Sequence, residues 1–541
     1  MRVDEEGEFV RRDAWVWGLL SALLLLLVPV GFVSPDGIGQ AERAATGAWR
    51  LNPNHLLFEP ANAAWVAATE SIAPERLPVD RLRGLSALAG ALAVALFRRG
   101  VALRFPGSRA GANYGTAWLA LSAVFSQLWV SAETYMIQLP ALVAATIFML
   151  RLRRERRSRT ALALGAALAL GALCFASNAL LVPFALSASF AGTGSPAVPR
   201  ASRSRSSAFL IAGFAGVAFP AFGLAWWISA HRGGAEIGFL DWALSYGGGG
   251  GLGRLRGAYG VELSAPGLAF AALRATYGAA SSLVDLAPSV AAWRDAHRVA
   301  LPAVAGLVAF GSAAALAWGG FFLPRGPARN DLLALLWFVG PPTLLFGWLW
   351  NNSDLQFYAP LPIAFGALAA AGAPFGRSAS RRPSVLFLFG LLGLAWNAVD
   401  LARRFVFYPR AERIARFTEA TSGACAVVYP GFDELQTLYL LVRPRPRWNE
   451  LSLTETAIEK PPEVGLPQLR GQIETCVERG GRVVFLDLYD RPPFEPPWKF
   501  LRSLGYRPEE VRRSFDGLPF EGPAQTVGDW SVRSAWKRSA P

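Results

Sequence analysis

Asp36, Glu133 and Asp354 are carboxylates placed at the edges of long apolar runs, and His55 is the first of only three histidines in 541 residues. A carboxylate beside hydrocarbon is costly unless it is solvated, paired or functional. Asp36 follows an apolar run by two or three residues in "VSPDGIGQAERAATGAW", where Glu42 and Arg43 continue a helical-looking segment. His55 stands in "NPNHLLFEP", just before an amphipathic stretch. Glu133 and Tyr135 share "SQLWVSAETYMIQLP" between two apolar blocks with almost no loop, and Asp354 sits in "WNNSDLQFYAP". Carboxylates and an imidazole on one face can exchange protons or hold a polar ligand. Each also has a structural reading. Asp36 before Gly37 makes a good turn at a helix end, and Glu133 can snorkel at an interface between Trp129 and Tyr135. His55 can be a satisfied core histidine.

The elements that must position these residues are set by composition. The chain is 53% hydrophobic and 17% charged, with mean hydropathy +0.31, where an ordinary soluble chain is about 25% charged. Its apolar residues cluster into blocks long enough to cross a bilayer. A single soluble domain and a disordered chain are both excluded, and a polytopic membrane protein is expected. At about 20 apolar residues per crossing, eleven spans are predicted, near 13–33, 82–100, 112–130, 133–150, 160–175, 176–191, 208–229, 299–321, 331–350, 357–374 and 384–402. The fifth and sixth divide one block near Ser177–Asn178. The first follows charged residues without a small-x-small cleavage site and reads as a retained signal anchor.

Lys and Arg number 53 against 39 Asp and Glu, a formal charge of +14. On a soluble protein that excess would suggest nucleic acid. Here it lies largely in short connectors: Arg11–Arg12, "FRRGVALRFPGSR", "RLRRERRSR", "PRASRSR", "PRGPAR" and "GRSASRRP". All six fall on one side if the N-terminus is cytoplasmic. Nucleic acid is therefore not an expected partner. The opposite, exterior side receives residues 34–81, the tight turn near 129–134, residues 230–298, residues 350–358 and the tail. The 230–298 loop contains Arg232 and "YGGGGGLGRLRGAYG" with Arg254 and Arg256. Its glycines lack the Lys-Ser/Thr ending of a phosphate-binding P-loop.

From 403 onward the apolar blocks stop. "ACAVVYP" and "RVVFLDLYD" read as buried strands and "WSVRSAW" as a late one, alternating with helices "DELQTLYLLV", "LPQLRGQIETCVERG" and "PPWKFLRSLGY". The expected fold is thus mainly α, a transmembrane helical bundle of about eleven spans over 1–402, with a small exterior α/β domain over 403–541. Three cysteines rule out a disulfide-rich domain or a Cys-built zinc site. Cys425 and Cys476 face an oxidising compartment, and both a bridge and unbridged core thiols remain open, the unbridged form being favoured.

Asp36 just after the first span, a short helix, "NHLLFEP" and a later "AETY" opening a span together resemble the integral-membrane glycosyltransferases of the GT-C superfamily. The pattern is most similar to the branch of the DUF2723 proteins and protein O-mannosyltransferases. The resemblance covers roughly 34–145 in motif and 1–402 in span pattern. It implies a hexosyl- or pentosyltransferase that moves a sugar from a polyprenyl-phosphate donor to a glycan, lipid or protein acceptor of the cell envelope. It implies a multi-pass inner (plasma) membrane location with the working face and C-terminal domain periplasmic or extracellular. Asp36 would be the base and Glu133 a second catalytic carboxylate. Glu42, Arg43, His55, Tyr135, Arg232, Arg254, Arg256 and Asp354 would contact substrate, the arginines facing the departing phosphate, for which Arg50 is a further candidate. Gly37 stands where many members carry a second acid, and Leu56 where Pro often follows the His. A divalent cation is not required by the sequence, and metal ligands stay unassigned.

Two other classes share these features. A lipid-linked saccharide transporter or flippase would place charges at mid-membrane and show internal repeats, but no repeat is evident and the polar residues gather at one face. A non-catalytic envelope assembly protein would use the tail to bind a partner.

Overall fold

The computed structural model describes residues 13–19, 22–23, 35–47, 51–74, 76–105, 109–130, 134–190, 200–233, 238–244, 326–349, 358–372, 385–402, 410–431, 438, 441, 449–489, 498, 501–502, 504–527 and 530–536. These residues form a mainly helical molecule with a small β-sheet near the C-terminus. The chain divides into two compact units. One holds Met1–Val30, Gln40–Gly247 and Leu263–Phe407, and the other Gly31–Gly39, Gly248–Glu262 and Tyr408–Pro541.

In the first unit, helices run over Phe58–Glu70, Pro78–Gly100, Arg109–Leu121, Ala123–Val130, Gln138–Glu155, Ser158–Cys174, Leu181–Phe190, Arg200–Gly233, Pro327–Leu349, Leu361–Gly372 and Val385–Leu401. Among the described residues, two stretches, Tyr135–Glu155 and Arg203–His231, are long and apolar enough to cross a membrane by length and composition. Of the eleven expected spans, 299–321 lies outside the described residues and 13–33 is described only in part. The 112–130 span is two helices. Ser122 breaks it, its hydroxyl donating to the Leu119 carbonyl at 2.9 Å and so competing with the helical ladder.

The block 160–191 separates where its polar residues fall. The Ser158–Cys174 helix ends at Phe175 in extended backbone, a 3-10 turn spans Ala176–Leu180, and a new helix starts at Leu181. Small residues let its neighbours close in. A Cβ on Gly165 would strike the Leu210 carbonyl oxygen, and one on Gly213 the Leu162 carbonyl oxygen, so this helix and Arg200–Gly233 touch backbone to backbone.

The Arg-rich connectors are not uniformly exposed. Arg153 is buried, and Asp331 accepts from it at 3.0 Å, from Arg104 at 3.0 Å and from Arg154 at 3.1 Å. Asp13 likewise holds buried Arg98 at 2.7 Å and exposed Arg109 at 3.1 Å.

The second unit is built on a five-stranded sheet of order β2-β1-β3-β5-β4: β1 Ala424–Tyr429, β2 Asn449–Ser452, β3 Arg482–Leu486, β4 Gln525–Val527 and β5 Trp530–Ala535. β1 pairs in parallel with β2 and β3, while β5 runs antiparallel to β3 and β4. Alternation along β1 sends Ala426 and Val428 to one face, with Ile473, Val483, Phe485 and Tyr506. Val427 and Tyr429 go to the other, against Phe417 of the Arg410–Ala420 helix. Cover on both faces explains why β1 and β3 are nearly continuously apolar.

Cys425 of β1 and Cys476 of the Pro462–Glu478 helix form a disulfide with Cα atoms 6.1 Å apart. The favoured unbridged reading is corrected on this point. The two cysteines are 51 residues apart in sequence, and the helix packing that brings them together is invisible in a linear reading. Cys174 stays a buried free thiol.

Candidate active site

The first loop builds the site from a helix, a turn and a second helix. Pro35–Thr46 begins with Pro35, whose fixed φ suits a first helical turn, and its backbone places Asp36 in that turn. Gly47 ends it at φ +72°, a backbone that residues with a Cβ rarely adopt. Glu42 and Arg43 lie farther along the same helix, and Thr46 Oγ1 donates to the Glu42 carbonyl at 2.8 Å. Arg43 is committed to a carboxylate: its Nε donates to Glu59 Oε1 at 3.1 Å. That pair ties the Pro35–Thr46 helix to the start of Phe58–Glu70.

His55 lies in the turn between those helices, and the turn is stitched to the far end of Ser158–Cys174. A helix leaves its last carbonyls without intrahelical partners. Here the loop supplies donors. Leu57 N–H donates to the Leu173 carbonyl at 3.0 Å, and His55 Nδ1 lies 3.3 Å from the Cys174 carbonyl. Ala176 N–H returns a bond to the Asn54 carbonyl at 3.0 Å. With Nδ1 donating, His55 presents Nε2 as an acceptor. Burial pushes the imidazole down to about 4, against which the Cys174 hydrogen bond acts only partly. At neutral pH the ring is therefore uncharged and supplies hydrogen bonding and stacking.

The stacking partners come from three parts of the chain. His55 lies parallel to Phe175 at 5.2 Å and edge-on to Tyr135 at 5.4 Å, with Phe58 at 5.5 Å. Tyr135 meets Phe175 edge-on at 5.6 Å. His55 and Phe58 of "NHLLFEP" and Tyr135 of "AETY" thus meet at one aromatic cluster. One turn beyond Tyr135, Gln138 Oε1 accepts from Asn178 Nδ2 at 2.6 Å, and Asn178 Nδ2 also donates to the Gly171 carbonyl at 3.0 Å. Gln138 is fully buried, and its Nε2 has no hydrogen-bond partner among the described residues.

Phe175, Gln138 and Asn178 were not singled out as site residues from sequence. Asn178 marks the division of an apolar block, and a polar residue there is the one signal that would have pointed to it. Arg232 lies in the last turn of the Arg200–Gly233 helix. Glu133, Arg254, Arg256, Asp354 and Arg50 lie outside the described residues, as does the five-glycine run. Among the described residues, no three His, Cys, Asp or Glu gather as a metal site would require.

No protein-family profile matches the sequence, and no curated protein matches it. Several solved structures align with it at low identity. ArnT from Cupriavidus metallidurans, solved bound to undecaprenyl phosphate, is 13% identical with a TM-score of 0.47, over 96% of this chain and 97% of that one. The oligosaccharyltransferase AglB from Archaeoglobus fulgidus is 10% identical with a TM-score of 0.46, over 97% of this chain and 74% of that one. The mycobacterial arabinofuranosyltransferase AftD is 16% identical with a TM-score of 0.39, over 98% of this chain but 40% of its own.

Proposed function

We propose that this protein is a multi-pass membrane glycosyltransferase of GT-C type, related to the DUF2723 and protein O-mannosyltransferase branch, with its working face outside the cytoplasm. It would move a sugar from a polyprenyl-phosphate donor to an envelope glycan, lipid or protein. The membrane placement draws on hydropathy and on the apolar side chains left exposed along Arg203–His231, among them Phe219, Leu224 and Trp227. One observation carries the enzymatic reading: the His55 motif and the Tyr135 motif, 80 residues apart in sequence, pack around Phe175 at a helix break instead of lying separately along the surface.

The reaction needs a base and a site for a leaving anion. Asp36 takes the proton of the acceptor hydroxyl. The freed oxygen attacks the anomeric carbon, and the carbon–oxygen bond to phosphate breaks, its electron pair leaving with the polyprenyl phosphate. Arg232, Arg254 and Arg256 neutralise that phosphate, and Arg43 is a further candidate for the same role. Glu133 orients the acceptor. Tyr135, neutral His55, Glu42 and Asp354 contact the sugar.

Purified protein in lipid nanodiscs, given polyprenyl-phosphate sugars and envelope acceptors, should transfer sugar, and Asp36→Asn should do so far more slowly. Vesicles in which the protein moves the donor across the bilayer without transferring sugar would support a flippase and overturn the assignment.

A further inference from the structure

The tail domain contains a polar cavity of about 510 Å³ along the outer side of β2, within the roughly 300–1,000 Å³ typical of small-molecule sites. β2 is an edge strand, and the open cavity is bordered by the two helices that follow it, Leu453–Glu459 and Pro462–Glu478. Its lining offers the planar hydrogen-bonding groups of Asn449, Glu450, Glu455, Gln468 and Gln472, the ammonium of Lys460, and two leucines.

The charges in this lining nearly cancel. Tyr429 Oη donates to Glu450 Oε1, fixing that carboxyl at the cavity wall. Burial, aided by the neighbouring Glu455, pushes Glu450 up to about 8, so at pH 7 it is mostly protonated and both donates and accepts. Lys460, whose ammonium donates to Gln468 Oε1, offsets Glu455. One cation is a poor match for a phosphate, and one ionised carboxylate for a divalent metal, which takes six or more oxygens when it is calcium. Two leucines give little to the alternating side chains of an added peptide strand. Planar amide and carboxyl groups carry adjacent donors and acceptors that suit vicinal hydroxyls.

We propose that this cavity is a saccharide-binding subsite, taking a neutral oligosaccharide through its hydroxyl groups. The inference rests on the glycosyltransferase reading for its meaning: the subsite holds the acceptor glycan, making the acceptor class a glycan and not a protein. The cavity itself is independent of the catalytic assignment.

The test is isothermal titration of the full-length protein in lipid nanodiscs, free of sugar-based detergent. Neutral gluco-, manno-, galacto- and arabino-oligosaccharides are the probes, with calcium chloride and a Ser/Thr-rich peptide as competitors of other chemistry. At least one oligosaccharide series should bind. The double variant Asn449→Ala with Gln472→Ala should bind about tenfold more weakly, as expected for two lost hydrogen bonds, with unchanged melting because both side chains are exposed. Glu450→Gln, which keeps a donor and an acceptor, should retain binding if the double variant proves unstable. No heat with any oligosaccharide, equal affinity in the double variant, or a response to calcium or peptide alone overturns the proposal. The titration contains no polyprenyl-phosphate donor. Transfer without saccharide binding would therefore refute the subsite alone, and binding without transfer would refute the enzyme alone.

Discussion

Glu450 is mostly protonated at pH 7 because its carboxyl is buried at an edge strand beside a second acid. Its folded value, about 8, is above the ordinary 4.5, so the folded tail binds the proton more tightly than the unfolded chain does. The stability it contributes is complete below pH 4.5 and is lost as pH rises through 8. Glu450→Gln should flatten that dependence and leave the tail more stable at pH 8.5, by on the order of 2 kcal/mol after allowing for solvent. Melting of the full-length protein at pH 5 and pH 8.5 checks it. A variant with the same slope as the wild type would place the titrating group elsewhere. His55 has the opposite sign: its lowered value removes stability as pH falls from 6.5 towards 4. At this scale the sequence shows which residues are unusual and not what they touch. His55 stands out as one of three histidines, whereas its partners Phe175 and the Cys174 carbonyl are 119 or more residues away. Asp13 and Asp331 gave no sign of holding the arginines read as topology signals, because those pairings span 85 and 178 residues.

Helix contact depends on missing side chains at Gly165 and Gly213. Replacing Gly165 with Leu inserts a side chain where Leu210 and Gly213 backbone atoms already lie in contact. Overpacking of this kind costs about 1–3 kcal/mol or more, and the melting temperature in nanodiscs should fall accordingly. Gly216 has open space where its Cβ would go, so Gly216→Ala is the control and should melt like the wild type. Equal melting of Gly165→Leu and Gly216→Ala would refute the close approach. The helix break at Asn178 was legible because a polar residue interrupts a long apolar block. The break at Ser122 was not, since serine within an apolar span reads as ordinary. Among strands, β1 and β3 announce themselves as apolar runs flanked by Gly or Pro, and β5 falls in "WSVRSAW", read as a late strand. β2 and β4 are four- and three-residue edge strands of polar composition, "NELS" and "QTV", and carry no such pattern.

On the proposed topology, the Arg-rich connectors lie inside and the tail outside. The Cys425–Cys476 disulfide is the form such a tail takes in an oxidising compartment. With those thiols bridged and Cys174 buried, introduced cysteines can be read against a quiet background. In spheroplasts, a membrane-impermeant maleimide should label Arg479→Cys directly and Arg203→Cys only after permeabilisation. The reverse pattern would invert the topology. Replacing both Cys425 and Cys476 with Ala should destabilise the tail by about 2–4 kcal/mol, the usual effect of opening a loop of this length. The overall division into an apolar helical part and an α/β tail could be read from composition alone, because bilayer-length apolar runs and short strands leave different patterns.

The central claim is that Asp36 is the base of a sugar transfer at the exterior face. The most direct measurement is the initial rate of transfer from a polyprenyl-phosphate sugar, in nanodiscs and at saturating acceptor, for wild type and Asp36→Asn. Losing a general base costs about 10²–10⁴-fold, so Asp36→Asn should fall by that much with unchanged melting, while Glu133→Gln should lose less and partly through apparent acceptor affinity. An Asp36→Asn enzyme that is folded and transfers at the wild-type rate would contradict the account.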